Sequence, residues 1–145
     1  MEQHDPYTPP QAALDSDDLD VRARIDSLPV SESWKWRFHA IALAGGPRLP
    51  NMKSMSPADR KSLSMFNILG FLFGPFYYLA KGMWRKALAM GVVAIGVTWL
   101  LQIAVAMAGM EGIARALGFG AAALFAMRAN LDYYKKMVLD DNGWW

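Results

Sequence analysis

The sequence predicts an all-α membrane protein: a transmembrane helical hairpin and a Gly-Pro-broken re-entrant or interfacial helix pair, preceded by short amphipathic helices. Three observations predict it. No ionisable side chain occurs from Ala87 to Gly109. A second apolar run, Met65 to Ala80, is interrupted at Gly74-Pro75, and a third, Ile113 to Met127, carries a single charge, Arg115. Hydrophobic residues make up 54% of the 145 and charged residues 19%, where soluble domains carry roughly a quarter charged. The charge that is present gathers toward the two ends of the chain.

This distribution divides the chain into four stretches. Residues 1–30 read as a mostly disordered, acidic and proline-rich tail with one short helix. Residues 31–64 read as cytoplasmic or interfacial amphipathic helices, 65–138 as the membrane domain, and 139–145 as a C-terminal tail. The first residues lack the basic and apolar regions of a signal peptide, so any membrane address lies further in.

Each element has a local cause. Asp5-Pro6-Tyr7-Thr8-Pro9-Pro10 cannot propagate a helix and has little to bury. Ser16 followed by Asp17 and Asp18 starts a helix, with two acids near the positive end of its dipole, and Pro29 ends it by about Ser27. Ser31 is a second cap. From Glu32 to Ala44, Trp34, Phe38 and Ile41 share one face while Trp36 and Leu43 lie opposite. Rings and cations interleaved in this way suit either a headgroup region or a helix packed on the rest of the protein. Gly45-Gly46-Pro47 is the stop. Ser56 with Pro57 opens a third helix, expected to run through Arg60 and Lys61 into the apolar stretch from Met65. Its 16 residues fall short of the roughly 20 that a straight span needs, and Pro75 imposes a kink or turn.

Ala87 to Gly109 would reach about 34 Å as a helix, enough to cross a hydrocarbon core of about 30 Å. Met110-Glu111-Gly112 is expected to turn the chain, and Ile113 to Met127 to return it. Gly118 with Ala122, and Ala104 with Ala108, form small-xxx-small pairs that favour close packing of the two helices. Gln102, inside the strong span, calls for a partner helix.

Basic flanks set the orientation. Lys81, Arg85 and Lys86 precede the strong span, and Arg128, Lys135 and Lys136 follow the return. Both ends of the hairpin are therefore expected in the cytoplasm, as are the N- and C-termini. A full crossing by Met65 to Ala80 would put Arg48, Lys53, Arg60 and Lys61 outside. A return at Gly74-Pro75 keeps every basic flank on one side, and such a re-entrant backbone must be shielded by protein.

The stretch Phe66-Asn67-Ile68-Leu69-Gly70-Phe71-Leu72-Phe73-Gly74-Pro75-Phe76-Tyr77-Tyr78-Leu79-Ala80-Lys81-Gly82-Met83-Trp84-Arg85-Lys86-Ala87-Leu88 resembles the YigG-like family of small bacterial inner-membrane proteins. Ser31-Glu32-Ser33-Trp34-Lys35-Trp36-Arg37-Phe38, Gly45-Gly46, Ala129-Asn130 and Tyr133-Tyr134 extend the likeness over about residues 31–136. Leu72 stands where an aromatic residue is expected. Residues 5–12 are also similar to a proline-rich leader that precedes several unrelated bacterial membrane domains. The resemblance implies a bacterial inner membrane and a domain of unknown function; it supplies no reaction and no ligand.

The residues themselves give no sign of catalysis. There is no cysteine, hence no disulfide, thiolate nucleophile or Cys-ligated metal. His4 and His39 are far apart and in no metal-binding spacing. No Gly-x-Ser-x-Gly elbow surrounds a serine, and Gly118-Phe119-Gly120 lacks the Lys-Ser/Thr of a phosphate loop. No cofactor is expected, and the net charge of +2 indicates no nucleic-acid partner. Arg115, near an end of its apolar run, reads as a snorkelling anchor.

The candidate docking residues, for a lipid or a partner membrane protein, are Asn67, Gly74, Pro75, Tyr77, Tyr78, Lys81, Trp84, Arg85 and Lys86. Asn67 is expected to bond carbonyls freed at the Gly74-Pro75 break. Tyr77, Tyr78 and Trp84 are expected at interfacial depth, and Lys81, Arg85 and Lys86 on anionic headgroups, each worth about 1 kcal/mol. The expected function is that of a non-catalytic accessory, scaffold or envelope-maintenance protein whose partners are the lipid bilayer and a membrane protein or further copies of itself. Two alternatives are a subunit of an oligomeric transporter or channel, with Thr98, Gln102 and Arg115 facing the pore, and an immunity protein against a membrane-acting toxin.

Overall fold

The computed structural model describes residues 16–63 and 65–145; the expected tail of residues 1–15 lies outside them, as do the side chains of Glu111 and Arg115. All the regular structure among the described residues is helical: α1 (Ser16–Ser27), α2 (Glu32–Leu43), α3 (Pro57–Ser62), α4 (Ile68–Phe73), α5 (Pro75–Ala80), α6 (Trp84–Met107) and α7 (Glu111–Val138). The core sits at one end. There α1 and α2 meet the last turns of α7, and the core buries Ile25, Phe38, Ile41, Leu63, Met83 and Val138.

The amphipathic pattern of α2 orders this core. Phe38 and Ile41 are fully buried, and Trp34 packs edge-on against Tyr133 with ring centroids 4.7 Å apart. Trp36 and Leu43, on the other side, are exposed. The packed environment expected of this helix therefore occurs on one face, and the other face is left uncovered. Ser31 occupies the N-cap of α2 without a side-chain hydrogen bond to it. Ser56 does cap α3, accepting from the Asp59 amide at 3.1 Å. Ile25 makes α1 more than a local helix, because its side chain is fully buried and its Arg24 pairs with Asp140 of the C-terminal tail.

α3 does not run on into the apolar stretch. It ends at Ser62, and Asn67 caps a new helix, its Oδ1 accepting the Gly70 amide at 2.9 Å. The Asn67 amide is spent on the Ala126 carbonyl of α7 at 3.1 Å, so the backbone leaves the helical path to pair with a neighbour. α4 then climbs along α7 and turns at Gly74. Gly74 has φ of 47° and ψ of −121°, a region closed to most side chains. Pro75 at the first position of α5 suits a chain restarting a helix. α5 comes back beside α4: the side-chain Nδ2 of Asn67, before α4, donates to the Tyr77 hydroxyl on α5 at 3.0 Å. The chain thus turns back at the break, as Gly74-Pro75 predicts.

α6 is the one helix among the described residues long and apolar enough to cross a membrane. The turn after it centres on Gly109, with φ of 69°, rather than on Met110-Glu111-Gly112; Glu111 already begins α7. α6 and α7 pack together, but not through the expected small pairs. Open space lies in front of Gly118, and Ala104 and Ala108 are exposed. Their seam forms nearer the base, where Met90 and Ala94 pack against the core. Farther out, grooves of about 710 and 510 Å³ open on the two sides of the hairpin.

Candidate functional site

The residues that carry charge and hydrogen-bonding capacity converge at the base, where α2, α4, α5 and the end of α7 meet. Two constellations form there, one buried and one open.

The buried one centres on Lys86 and Asp132, 0% and 1% exposed, with Nζ and Oδ1 3.5 Å apart. Tyr78 donates its hydroxyl to Asp132 Oδ2 at 3.0 Å, and Arg128 Nε lies 3.5 Å from the same oxygen. The Lys86 ammonium is also 3.5 Å from the Asp141 carbonyl of the tail. A buried charge needs such company, since leaving water costs several kcal/mol per ion. Lys86 and Tyr78 therefore do not reach headgroups as their sequence positions suggest. Their helices turn them inward, onto α7.

The open constellation surrounds Lys81, in the link between α5 and α6. Its Nζ stands 4.6 Å from the Tyr133 ring centroid, 5.0 Å from Trp34 and 6.0 Å from Tyr77. Rings present negative faces to a cation, and here three of them make a partial cage. Arg37 lies over the same Trp34 ring, with Cζ 4.9 Å from its centroid. Lys136 donates to the Lys81 carbonyl. Burial, then the charges of Lys136 and Arg37, hold the Lys81 ammonium below its ordinary pKa. Beside this cluster is a pocket of about 300 Å³, walled by Trp34, Arg37, Asn67, Tyr77, Lys81 and Asn130, with Phe66, Ile68 and Leu69 at its apolar side.

The predicted residues fare differently. Asn67, Tyr77 and Lys81 come together at the pocket. Asn67 does not bond carbonyls freed at the break; its Nδ2 donates to Tyr77 Oη and to Asn130 Oδ1, the latter at 2.8 Å. Gly74 and Pro75 form the far turn, against Phe125 and Gly91. Trp84 and Arg85 are exposed beside the tail, Trp84 meeting Trp144 edge-on at 5.8 Å and Arg85 lying over Trp84 at 5.4 Å. Gln102 is exposed on outer α6.

Asp132 and Arg37 were missed. A signal for Asp132 existed: it is the lone acid between Glu111 and Asp140, and it follows Phe125 and Ala129 at a spacing that shares one helical face. Nothing in the spacing of Arg37 joins it to Lys81.

The family described as "Protein of unknown function (DUF2628)" matches residues 27–138. The chain is also similar to the "Uncharacterized protein YigF" of Salmonella typhimurium and that of Salmonella typhi. It is 27% identical to each over 131 residues, covering 83% of this chain and 94% of each relative. No solved structure matches the chain. The expectation of a domain of unknown function holds, with YigF proteins standing where the motif pointed to the YigG-like family. The chain belongs to the DUF2628 family.

Proposed function

We propose that this protein is a non-catalytic, small integral protein of the bacterial inner membrane, acting as an accessory, scaffold or envelope-maintenance factor through lipid and protein contacts. In this reading α6 and α7 cross the bilayer as a hairpin. α4 and α5 enter it and return, and the base with both termini lies in the cytoplasm.

One observation carries the reading: the apolar surface of α6 is uncovered. Trp99 and Leu100 are 67% and 70% exposed, and Val92, Ile95, Ile103 and Met107 join them. A water-soluble chain rarely leaves so continuous an apolar face bare, whereas hydrocarbon solvates it without cost. The 24 residues of α6 span about 36 Å. The cations Arg37, Lys81, Arg85, Lys135 and Lys136 lie around the opposite, packed end, as a cytoplasmic face requires.

The test is fractionation with accessibility mapping. The chain should stay with membranes after an alkaline wash. A cysteine replacing Ser54 should react with an impermeant maleimide only from the cytoplasmic side, and one replacing Gly112 only from outside. Labelling of position 54 from outside would reject the return at Gly74 in favour of three crossings. Release of the chain into the wash would reject the membrane reading altogether.

A specific observation favours a homo-oligomer, the second reading. Gln102 stands exposed on outer α6, and an amide facing hydrocarbon gains from a partner helix.

A further inference from the structure

The pocket between α2, α4 and α5 has a chemistry of its own. Arg37 and Lys81 both ride on the ring of Trp34, at 4.9 and 5.0 Å, and both line the pocket. Lys136 stands behind them, donating to the Lys81 carbonyl. The ion pairs among the described residues join Arg24 to Asp140, Lys35 to Glu32, His39 to Asp26, and Lys86 and Arg128 to Asp132; none neutralises these three cations. Burial first, and then the neighbouring charges of Lys136 and Arg37, lower the pKa of Lys81. No carboxylate lines the pocket.

The apolar side of the pocket continues outward. Ile68 and Leu69 line it, and Leu72 and Phe73, one turn further along α4, are also exposed. The four positions, i, i+1, i+4 and i+5, make one stripe on the helix. It leads away from the cations toward the turn at Gly74.

We infer that this pocket is the headgroup site of an anionic phospholipid, its phosphate held by Arg37 and Lys81 and an acyl chain laid along the outer face of α4. The inference rests on the membrane reading above and deepens it. Arg37 offers the fork geometry that suits phosphate oxygens, and Lys81 a point charge already oriented by its aromatic cage. Asn67 and Asn130 supply the polar wall. An anionic headgroup is favoured over a zwitterionic one because two to three positive charges await compensation, and no acid is present to receive a choline or ethanolamine cation.

The experiment is native mass spectrometry of the full chain released from mixed phosphatidylglycerol and phosphatidylcholine micelles, alongside insertion into vesicles of the same lipids. Phosphatidylglycerol should be retained in preference to phosphatidylcholine. Arg37→Gln with Lys81→Gln should reduce that retention about twenty-five-fold, at about fivefold per cation. Lys53→Gln with Lys61→Gln, which removes the same charge from exposed positions, should change it less than about twofold. Should the first pair fail to give a helical, monodisperse protein, Arg37→Gln alone carries the test, with about a fivefold loss expected.

Excess inorganic phosphate should leave the lipid bound, because the acyl chain contributes. Displacement by phosphate alone would identify a free-anion site and overturn the inference. Equal losses in the pocket and control variants would overturn it too, as would equal retention of the two lipids by a chain that inserts. A chain that never enters vesicles would overturn both this inference and the membrane reading.

Discussion

Lys86 and Asp132 illustrate how much a single residue's role depends on what its helix faces. In sequence Lys86 belongs to a run of cations at a membrane boundary. In the fold it is sealed against Asp132, with Tyr78 and the Asp141 carbonyl completing the enclosure. Removing one partner of such a pair strands the other. Asp132→Asn is expected to destabilise the protein by about 3–5 kcal/mol, visible as a lower thermal midpoint in detergent and reduced abundance in membranes. Lys81 makes a contrast. Held by rings rather than by an acid, it can be replaced at a cost in stability nearer about 1 kcal/mol. The same unfolding measurement separates the two lysines.

At the scale of elements, the return of α4 and α5 rests on two glycines for different reasons. Gly70 lies so close to α7 that an added Cβ would stand 3.1 Å from the Ala129 Cβ and 3.4 Å from the Ala126 Cα. Gly74 has room, its nearest neighbour being Phe125 at 3.7 Å, but its positive φ excludes most L side chains. Gly74→Ala is therefore expected to cost about 1–3 kcal/mol through backbone strain. Gly70→Val should do its damage by pushing α4 off α7. Thermal unfolding in detergent checks both: Gly70→Val should lower the midpoint more than Gly74→Ala does. The reverse order would mean that the turn, and not the helix seam, holds α4 in place. Much of this element is legible in sequence, because a Gly-Pro pair inside a short apolar run can only break it. The cap at Asn67 was less so: an asparagine among apolar residues reads equally as a buried hydrogen-bonding group, and its partners lie 10 and 63 residues away.

For the whole molecule, the division of labour is between a packed base and an uncovered apolar hairpin. The base has a core in the ordinary sense, with Ile25, Phe38, Ile41 and Val138 closed off from water. Among the described residues the outer hairpin has none, and in the proposed reading its covering is lipid or further copies of the protein. If copies of the protein supply part of it, Gln102 is where they meet. Gln102→Leu is then expected to shift chemical crosslinking in native membranes from dimer or higher species toward monomer, by about threefold for a loss near 0.6 kcal/mol. An unchanged pattern would leave lipid as the covering.

The order of the helices apart from the separation of α3 from α4, the long apolar span, the amphipathic face of α2 and the break at Gly74 were readable along the chain. Each follows from local propensity, from a repeating pattern of apolar positions, or from backbone chemistry confined to a few neighbouring residues. Contacts between distant segments were not. That Lys86 turns inward to Asp132, that Arg37 joins Lys81 over Trp34, and that Gly118 faces open space depend on the angles at which separate helices meet. Those angles come from the packing of many side chains at once, which no short window of sequence contains.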